Sequence, residues 1–64
     1  MFDLTEREQE VLGLMTQGLS NTQIAEKLCI SRHTAKAHVS VIIKKLNVCS
    51  RSHATFWAGK YNLY

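Results

Sequence analysis

Proline is absent from this 64-residue chain, and only three glycines and two cysteines are present. So few turn-forming residues disfavour a sheet of short strands joined by tight turns, and an all-helical fold is expected. The two cysteines, Cys29 and Cys49, are too few and too far apart for a disulfide framework or a CxxC zinc site, which predicts a reduced, cytosolic setting. The longest apolar run, residues 41–43, is far too short to cross a bilayer, so we expect no membrane partner.

The size of the chain also limits its function. A mass of 7.3 kDa leaves room for one small domain, which we place at residues 1–64, and none for a catalytic pocket with a cofactor domain. Cys29, His33 and His38 are of residue types that bind metals, but Cys29 falls in a turn and His33 on an outer helix face, so their side chains diverge. We therefore expect no enzyme activity, no cofactor and no bound metal.

Acidic residues are missing from the second half of the chain. Residues 1–26 contain all five acids and one base, for a net charge of −4, whereas residues 27–64 contain seven bases and no acid. The overall charge of +3 hides this asymmetry. A long basic segment without acids points to a polyanionic partner such as nucleic acid.

Two capping boxes predict the first two helices. Thr5 with Glu8, and Ser20 with Gln23, have the spacing at which each side chain satisfies an unpaired amide at a helix start. Gly18 suits the left-handed position after a helix end. The predicted helices cover residues 5–17 and 21–28, and a turn at residues 29–30 follows the second.

Two further helices are predicted from caps and apolar spacing. Ser31 caps a helix over residues 32–46, which ends at Asn47, a residue that tolerates the left-handed conformation. Ser50 caps a helix over residues 51–61. Apolar side chains at helical spacing are expected to face the core in both helices: Ala35, Val39, Ile42 and Leu46 in the third, and Ala54, Trp57, Ala58 and Tyr61 in the fourth.

A short helix joined by a three-residue turn to a longer helix with a basic outer face has the layout of a helix-turn-helix. An ordered set of residues runs through the same segments: Leu4-Thr5-x-Arg7-Glu8-x-Glu10-Val11-Leu12, Gly18-x-Ser20-Asn21, Ile24-Ala25-x-x-Leu28-x-Ile30-Ser31, Thr34-x-Lys36-x-His38 and Lys45-Leu46-x-Val48-x-x-Arg51-x-x-Ala54. This set resembles the LuxR-type (NarL/FixJ-type) DNA-binding domain of bacterial regulators, and the likeness covers residues 4–63. In that family Val is usual at the position of Ala35, Gly at that of Asn47, and a polar residue is frequent at that of Val41.

The resemblance implies a four-helix domain whose third helix enters the DNA major groove. It assigns base contacts to Lys36, Ala37 and Ser40, and these positions also lie on the solvent face that the helical spacing predicts. We expect phosphate contacts at the groove edges from seven residues: Asn21, Thr22, Ser31, Arg32, His33, Thr34 and Lys44.

Other polar residues are expected to act within the protein. Lys45 points to the side of its helix, and we expect it to pair with Glu8, with Arg51 as a possible third member. His38 lies beside the core stripe and is expected to be structural.

The fourth helix has a second face, formed by Ser52, Phe56 and Gly59. Phe56 is expected to have no partner within the chain, and its two small neighbours would admit another helix. The resemblance implies dimerisation through this helix on DNA, so the expected partners are double-stranded DNA, a second copy as a weak homodimer, and RNA polymerase.

Two alternatives stay open from the sequence. A sigma-factor region-four module shares the first three helices, although the Lys45-to-Arg51 segment and the fourth helix weigh against it. A helical protein-interaction module could use the basic face to bind an acidic partner. The chain is expected to be either a fragment of a longer regulator or a small stand-alone one.

Overall fold

The computed structural model describes residues 4–61, without the side chain of Tyr61. It contains four α-helices: α1 Glu6–Thr16, α2 Asn21–Leu28, α3 Arg32–Leu46 and α4 Arg51–Tyr61. The all-α prediction is confirmed, and the predicted bounds of the last three helices agree with those observed. The first helix is one residue shorter at each end than predicted, because Thr5 has an extended backbone as the N-cap and Gln17 is the C-cap. No helix within residues 4–61 is long and apolar enough to cross a membrane.

Side-chain caps begin all four helices. The Thr5 hydroxyl accepts from the Glu8 amide at 3.1 Å, while the Thr5 amide donates to the Glu8 carboxylate at 2.9 Å. The same reciprocal pair joins Ser20 and Gln23, so both predicted capping boxes are confirmed. Ser31 and Ser50 accept from the third residue after them, at 3.0 and 3.3 Å respectively. These bonds satisfy amides that would otherwise lack a helical partner.

Left-handed residues end the first three helices. Gly18 has φ +86°, and Asn47 has φ +55°, as predicted. Cys29 also adopts this conformation, with φ +57°, which the sequence did not predict. After each of these residues an amide donates back to a carbonyl of the preceding helix: Leu19 to Leu14, Ile30 to Ala25 and Val48 to Ile43. The chain reverses at these points and the helices can pack together.

The core lies between α3 and the other three helices, and each of those three helices packs against α3. The predicted stripe of α3 is buried, as are residues from the supporting helices: Val11, Leu12 and Met15 of α1, Ile24 and Ala25 of α2, and Ala54 and Ala58 of α4. Trp57 is only half-buried, so it contributes less to the core than predicted. The prediction for the Tyr61 side chain lies outside the described residues. The burial of one face of α3 leaves its opposite face exposed.

An ion pair fixes α1 to α3. Lys45 Nζ lies 2.8 Å from Glu8 Oε1, which confirms the predicted pairing. The hydrogen bond from Lys45, together with the Thr5 amide and the nearby ammonium charge, lowers the pKa of Glu8 below its ordinary value of 4.5, although burial opposes this shift. Glu8 therefore serves both as a capping residue and as a link between two helices.

Candidate nucleic-acid interface

The outer face of α3 carries the residues predicted to contact bases. Lys36, Ala37 and Ser40 are all exposed, on the side away from the buried stripe. Val41 is 39% exposed and continues the same face. A helix with its side chains is about 10–12 Å across, which suits a major groove about 12 Å wide. The face is therefore accessible and of the right width for the groove.

The N-terminal ends of α2 and α3 meet beside this face. Asn21, Arg32, His33 and Lys36 line one open cleft of about 510 Å³. The structure thus places three predicted phosphate contacts beside the predicted base contact Lys36. Amides at a helix start and exposed cations both favour an anion.

Two hydroxyl groups at the start of α3 are hydrogen-bonded to each other. Ser31 Oγ donates to Thr34 Oγ1 at 2.8 Å and also accepts from the Thr34 amide. Because Thr34 Oγ1 is the acceptor in the first bond, its own hydrogen can be donated elsewhere. Both side chains are exposed, so Thr34 can offer this hydrogen to a phosphate oxygen.

Lys44 marks the far end of the face. It is exposed and lies eight residues beyond Lys36, which is about 12 Å along the helix axis. The structure therefore keeps Lys44 away from the cleft at the start of α3. Thr22, the remaining predicted phosphate contact, is exposed in the first turn of α2.

Arg51 does not join the pair of Glu8 and Lys45, and that prediction is wrong. Its guanidinium instead donates through Nη1 to Asn21 Oδ1 and through Nη2 to the carbonyl of Leu19. Arg51 follows these two residues by 30 or more positions in the chain, and no local pattern indicates so distant a pairing. The first residue of α4 thus holds the loop and first residue of α2.

The residues considered as metal ligands do not converge in the structure. Cys29 and His33 are exposed, whereas His38 is half-buried beside the core. Within residues 4–61, no group of three or more histidine, cysteine or acidic side chains could hold a metal ion.

Side chains on the outer part of α4 make contacts with each other that were not predicted. Ser52, Phe56 and Gly59 are exposed, and Phe56 is 63% exposed. However, Lys60 Nζ lies 5.8 Å from the centre of the Phe56 ring, so the expectation that Phe56 has no partner within the chain is wrong. On the same helix, Trp57 Nε1 donates to His53 Nε2 at 2.8 Å.

Comparison with known proteins agrees with this geometry. Residues 3–58 match the family described as "Bacterial regulatory proteins, luxR family". The chain belongs to the luxR family. It is a DNA-binding helix-turn-helix domain of a bacterial transcription regulator. The match confirms the resemblance found in the sequence and favours this family over a sigma-factor module.

Several relatives of this luxR-family chain are response regulators. It is 49% identical over 63 residues to the transcriptional regulatory protein LnrK of Bacillus subtilis, covering 98% of this chain and 29% of that protein. It is 56% identical over 52 residues to the nitrate/nitrite response regulator protein NarP of Escherichia coli, covering 81% and 24% respectively.

A solved structure shares the fold. The response regulator ChrA of a heme-sensing two-component system superposes with a TM-score of 0.88 and 42% identity, over 100% of this chain and 32% of that one. The luxR-family chain therefore spans about a quarter to a third of the length of these relatives.

Proposed function

We propose that this luxR-family domain binds double-stranded DNA by placing α3 in the major groove, with the cleft between α2 and α3 against the phosphate backbone. The observation that carries this proposal is the division of α3 into two faces. Every residue of the apolar stripe on one face is buried, and the opposite face presents Lys36, Ala37 and Ser40 to solvent. No acid follows Glu26 in the chain to repel the polyanion.

Each proposed reading residue suits a base edge. Lys36 can donate to O6 and N7 of guanine, Ala37 can contact a thymine methyl group, and Ser40 can donate to or accept from a base edge. The short side chain of Ser40 limits its reach, which favours a contact through water. Lys36 is thus the main source of base preference in this proposal.

The phosphate contacts orient the domain. Asn21 and Thr22 at the start of α2, the group Ser31, Arg32, His33 and Thr34 at the start of α3, and Lys44 near its end would hold the helix from two sides. Such contacts fix register without reading sequence.

We also propose that two copies meet through α4 when each occupies a half-site. The exposed Phe56 ring, the small residues Ser52 and Gly59, and the Lys60 ammonium form the patch that supports this. It is small beside the roughly 800 Å² per partner of a stable interface, so the free domain is expected to be a monomer or a weak dimer.

The same proposal covers the extent of the domain, its location in the cell and its mode of action. We place residues 1–64 in one DNA-binding domain that acts in the bacterial cytoplasm, by binding and not by catalysis, and that can contact RNA polymerase when bound to DNA. Since the relatives are three to four times longer, the regulator as a whole would contain further segments that control this domain.

A salt titration tests the DNA-binding proposal. If each monomer neutralises about four to six phosphates, log affinity for duplex DNA should fall against log salt with a slope near −0.9 per phosphate. An acidic polypeptide of equal charge is the control, since a general polyanion-binding surface would take it as tightly as DNA. An affinity for duplex DNA that does not change with salt would falsify the proposal.

A further inference from the structure

We propose that Arg51 is a positioning residue for DNA binding, which turns the side-chain amide of Asn21 so that its NH₂ group faces the phosphate. This inference rests on the proposed docking of the α2 start against DNA. It assigns to α4 a part in the interface that requires no contact between α4 and DNA.

The geometry rests on two bonds from one guanidinium. Arg51 Nη1 donates to Asn21 Oδ1, and Nη2 donates to the carbonyl of Leu19. The second bond fixes the guanidinium to the backbone before α2, so the first is made from a fixed position. Arg51 and Asn21 are both half-buried, which favours these bonds over competition from water.

A side-chain amide has an acceptor on one side and donors on the other. Because Oδ1 of Asn21 accepts from Arg51, Nδ2, the other substituent of Cγ in the same amide plane, points away from the guanidinium. The terminal torsion of asparagine is broad and roughly two-fold, so an unrestrained amide would also present its oxygen to the phosphate, where two acceptors repel. Arg51 removes that orientation before DNA arrives and lowers the ordering cost of binding.

A lysine at this position would keep the charge but lose the fixed pair of donors. The guanidinium is a planar fork with its N–H groups at set angles, whereas an ammonium is a single point on a flexible stem. Among the described residues, α2 and α4 do not pack against each other, so this side chain bridges them without support from a shared backbone contact. Arg51→Lys therefore separates orientation from charge.

The test is a double-mutant cycle on a random-sequence duplex, because a phosphate contact does not depend on sequence. Arg51→Lys should weaken binding about tenfold, the value of roughly one hydrogen bond to a charged group, with the salt slope unchanged. In an Asn21→Ala background the same change should alter affinity less than about twofold. Asn21→Asp keeps the acceptor for Arg51 but removes the donors, and should bind at least as weakly as Asn21→Ala.

Charge removal has its own control. Arg51→Met and Arg7→Met each remove one positive charge, and Arg7 is an exposed residue of α1. In the Asn21→Ala background the two should lower affinity and salt slope equally. If the slope of log affinity against log salt is shallower by a further amount of about 0.9 for Arg51→Met than for Arg7→Met, Arg51 contacts a phosphate itself. That result would overturn the positioning role.

A measurement on the protein without DNA keeps this inference separate from the proposed function. In ¹⁵N spectra, Arg51→Lys should shift the Asn21 side-chain NH₂ pair strongly while most backbone amides stay in place. Additive effects in the cycle, or an Asn21 pair that does not move, overturn the inference. If the unaltered chain fails to bind DNA at all, the proposed function fails instead, whatever the spectra show.

Discussion

At the scale of single residues, Lys36 and Lys44 lie on the same helix face, and we propose different roles for them. Both side chains are exposed on α3, and about 12 Å of helix separates them. Lys36 lies where the cleft between α2 and α3 opens onto the outer face, whereas Lys44 lies toward the opposite helix end. We therefore propose that Lys36 reaches base edges and that Lys44 reaches the backbone on the groove rim.

This difference predicts distinct mutant behaviour. Lys36→Ala should cost about 1–3 kcal/mol on the preferred site and relax the preference at one base pair. Lys44→Ala should weaken binding to preferred and random DNA about equally and reduce the salt slope by about 1. Measuring affinities on both duplexes checks the assignment. Two variants with the same ratio of specific to random binding would contradict it.

Some contacts between distant side chains were predictable from the sequence, and others were not. The pair of Glu8 and Lys45 was predictable because a capping box fixes Glu8 at a helix start and the buried stripe of α3 fixes where Lys45 points. The partners of Arg51 were not predictable, because a long flexible side chain can reach many acceptors and the loop before α2 has no pattern that marks it. The bond from Arg51 to Asn21 Oδ1 was unpredictable for the same reason.

At the scale of helices, the ends set the geometry of the molecule. The caps that begin α1 and α2 and the left-handed residues Gly18 and Asn47 were predictable, since each needs a particular residue type at a particular spacing. Cys29 has no such chemistry, and the left-handed conformation costs a residue with a Cβ roughly 1–2 kcal/mol. The turn of the helix-turn-helix therefore carries backbone strain.

Replacing the strained residue should stabilise the domain. The Cys29 side chain is exposed, so Cys29→Gly loses little packing and should raise the free energy of unfolding by about 0.5–1 kcal/mol, after the extra chain entropy of glycine is counted. Asn47→Gly is the matched comparison and should gain less, because asparagine tolerates this conformation. Urea denaturation measures both. A larger gain at Asn47 than at Cys29 would contradict this account.

The exposed face of α4 gives a prediction about assembly. Phe56→Glu should leave the fold and half-site binding intact, because the Phe56 side chain is 63% exposed, but should abolish cooperative occupancy of paired half-sites by placing like charges across the two-fold axis. Gln9→Glu, on the exposed surface of α1, adds the same charge elsewhere. If Phe56→Glu is as cooperative as this control, with helical content verified, the copies meet through another surface.

At the scale of the whole molecule, the pair of Glu8 and Lys45 ties stability to pH. The pKa of Glu8 is lowered from its ordinary 4.5, first by the hydrogen bond from Lys45. The folded state thus holds Glu8 ionised to lower pH than the unfolded chain does. The resulting stabilisation is complete above about pH 4.5 and is lost as the pH falls through the pKa of the folded state.

Glu8→Gln isolates this contribution. Glutamine can still accept from the Thr5 amide, so the cap is kept while the ion pair is lost, and the free energy of unfolding at neutral pH should fall by about 1–2 kcal/mol. The difference from the unaltered protein should shrink as the solution is acidified. Glu10→Gln, an exposed neighbour on α1, should cost little. Denaturation midpoints across a pH series give the answer, and a difference that stays constant with pH would contradict the linkage.

Trp57, which donates a hydrogen bond to His53, is an intrinsic fluorescent probe within the domain. The chain contains one tryptophan, and that indole lies on α4 next to Phe56, half-buried and bonded through Nε1 at 2.8 Å. Indole emission shifts in wavelength with the polarity around the ring, so a second copy arriving on this helix would change the emission of the first. If two domains pair through α4 on DNA, as proposed, intrinsic fluorescence will follow that pairing with no dye attached to protein or DNA.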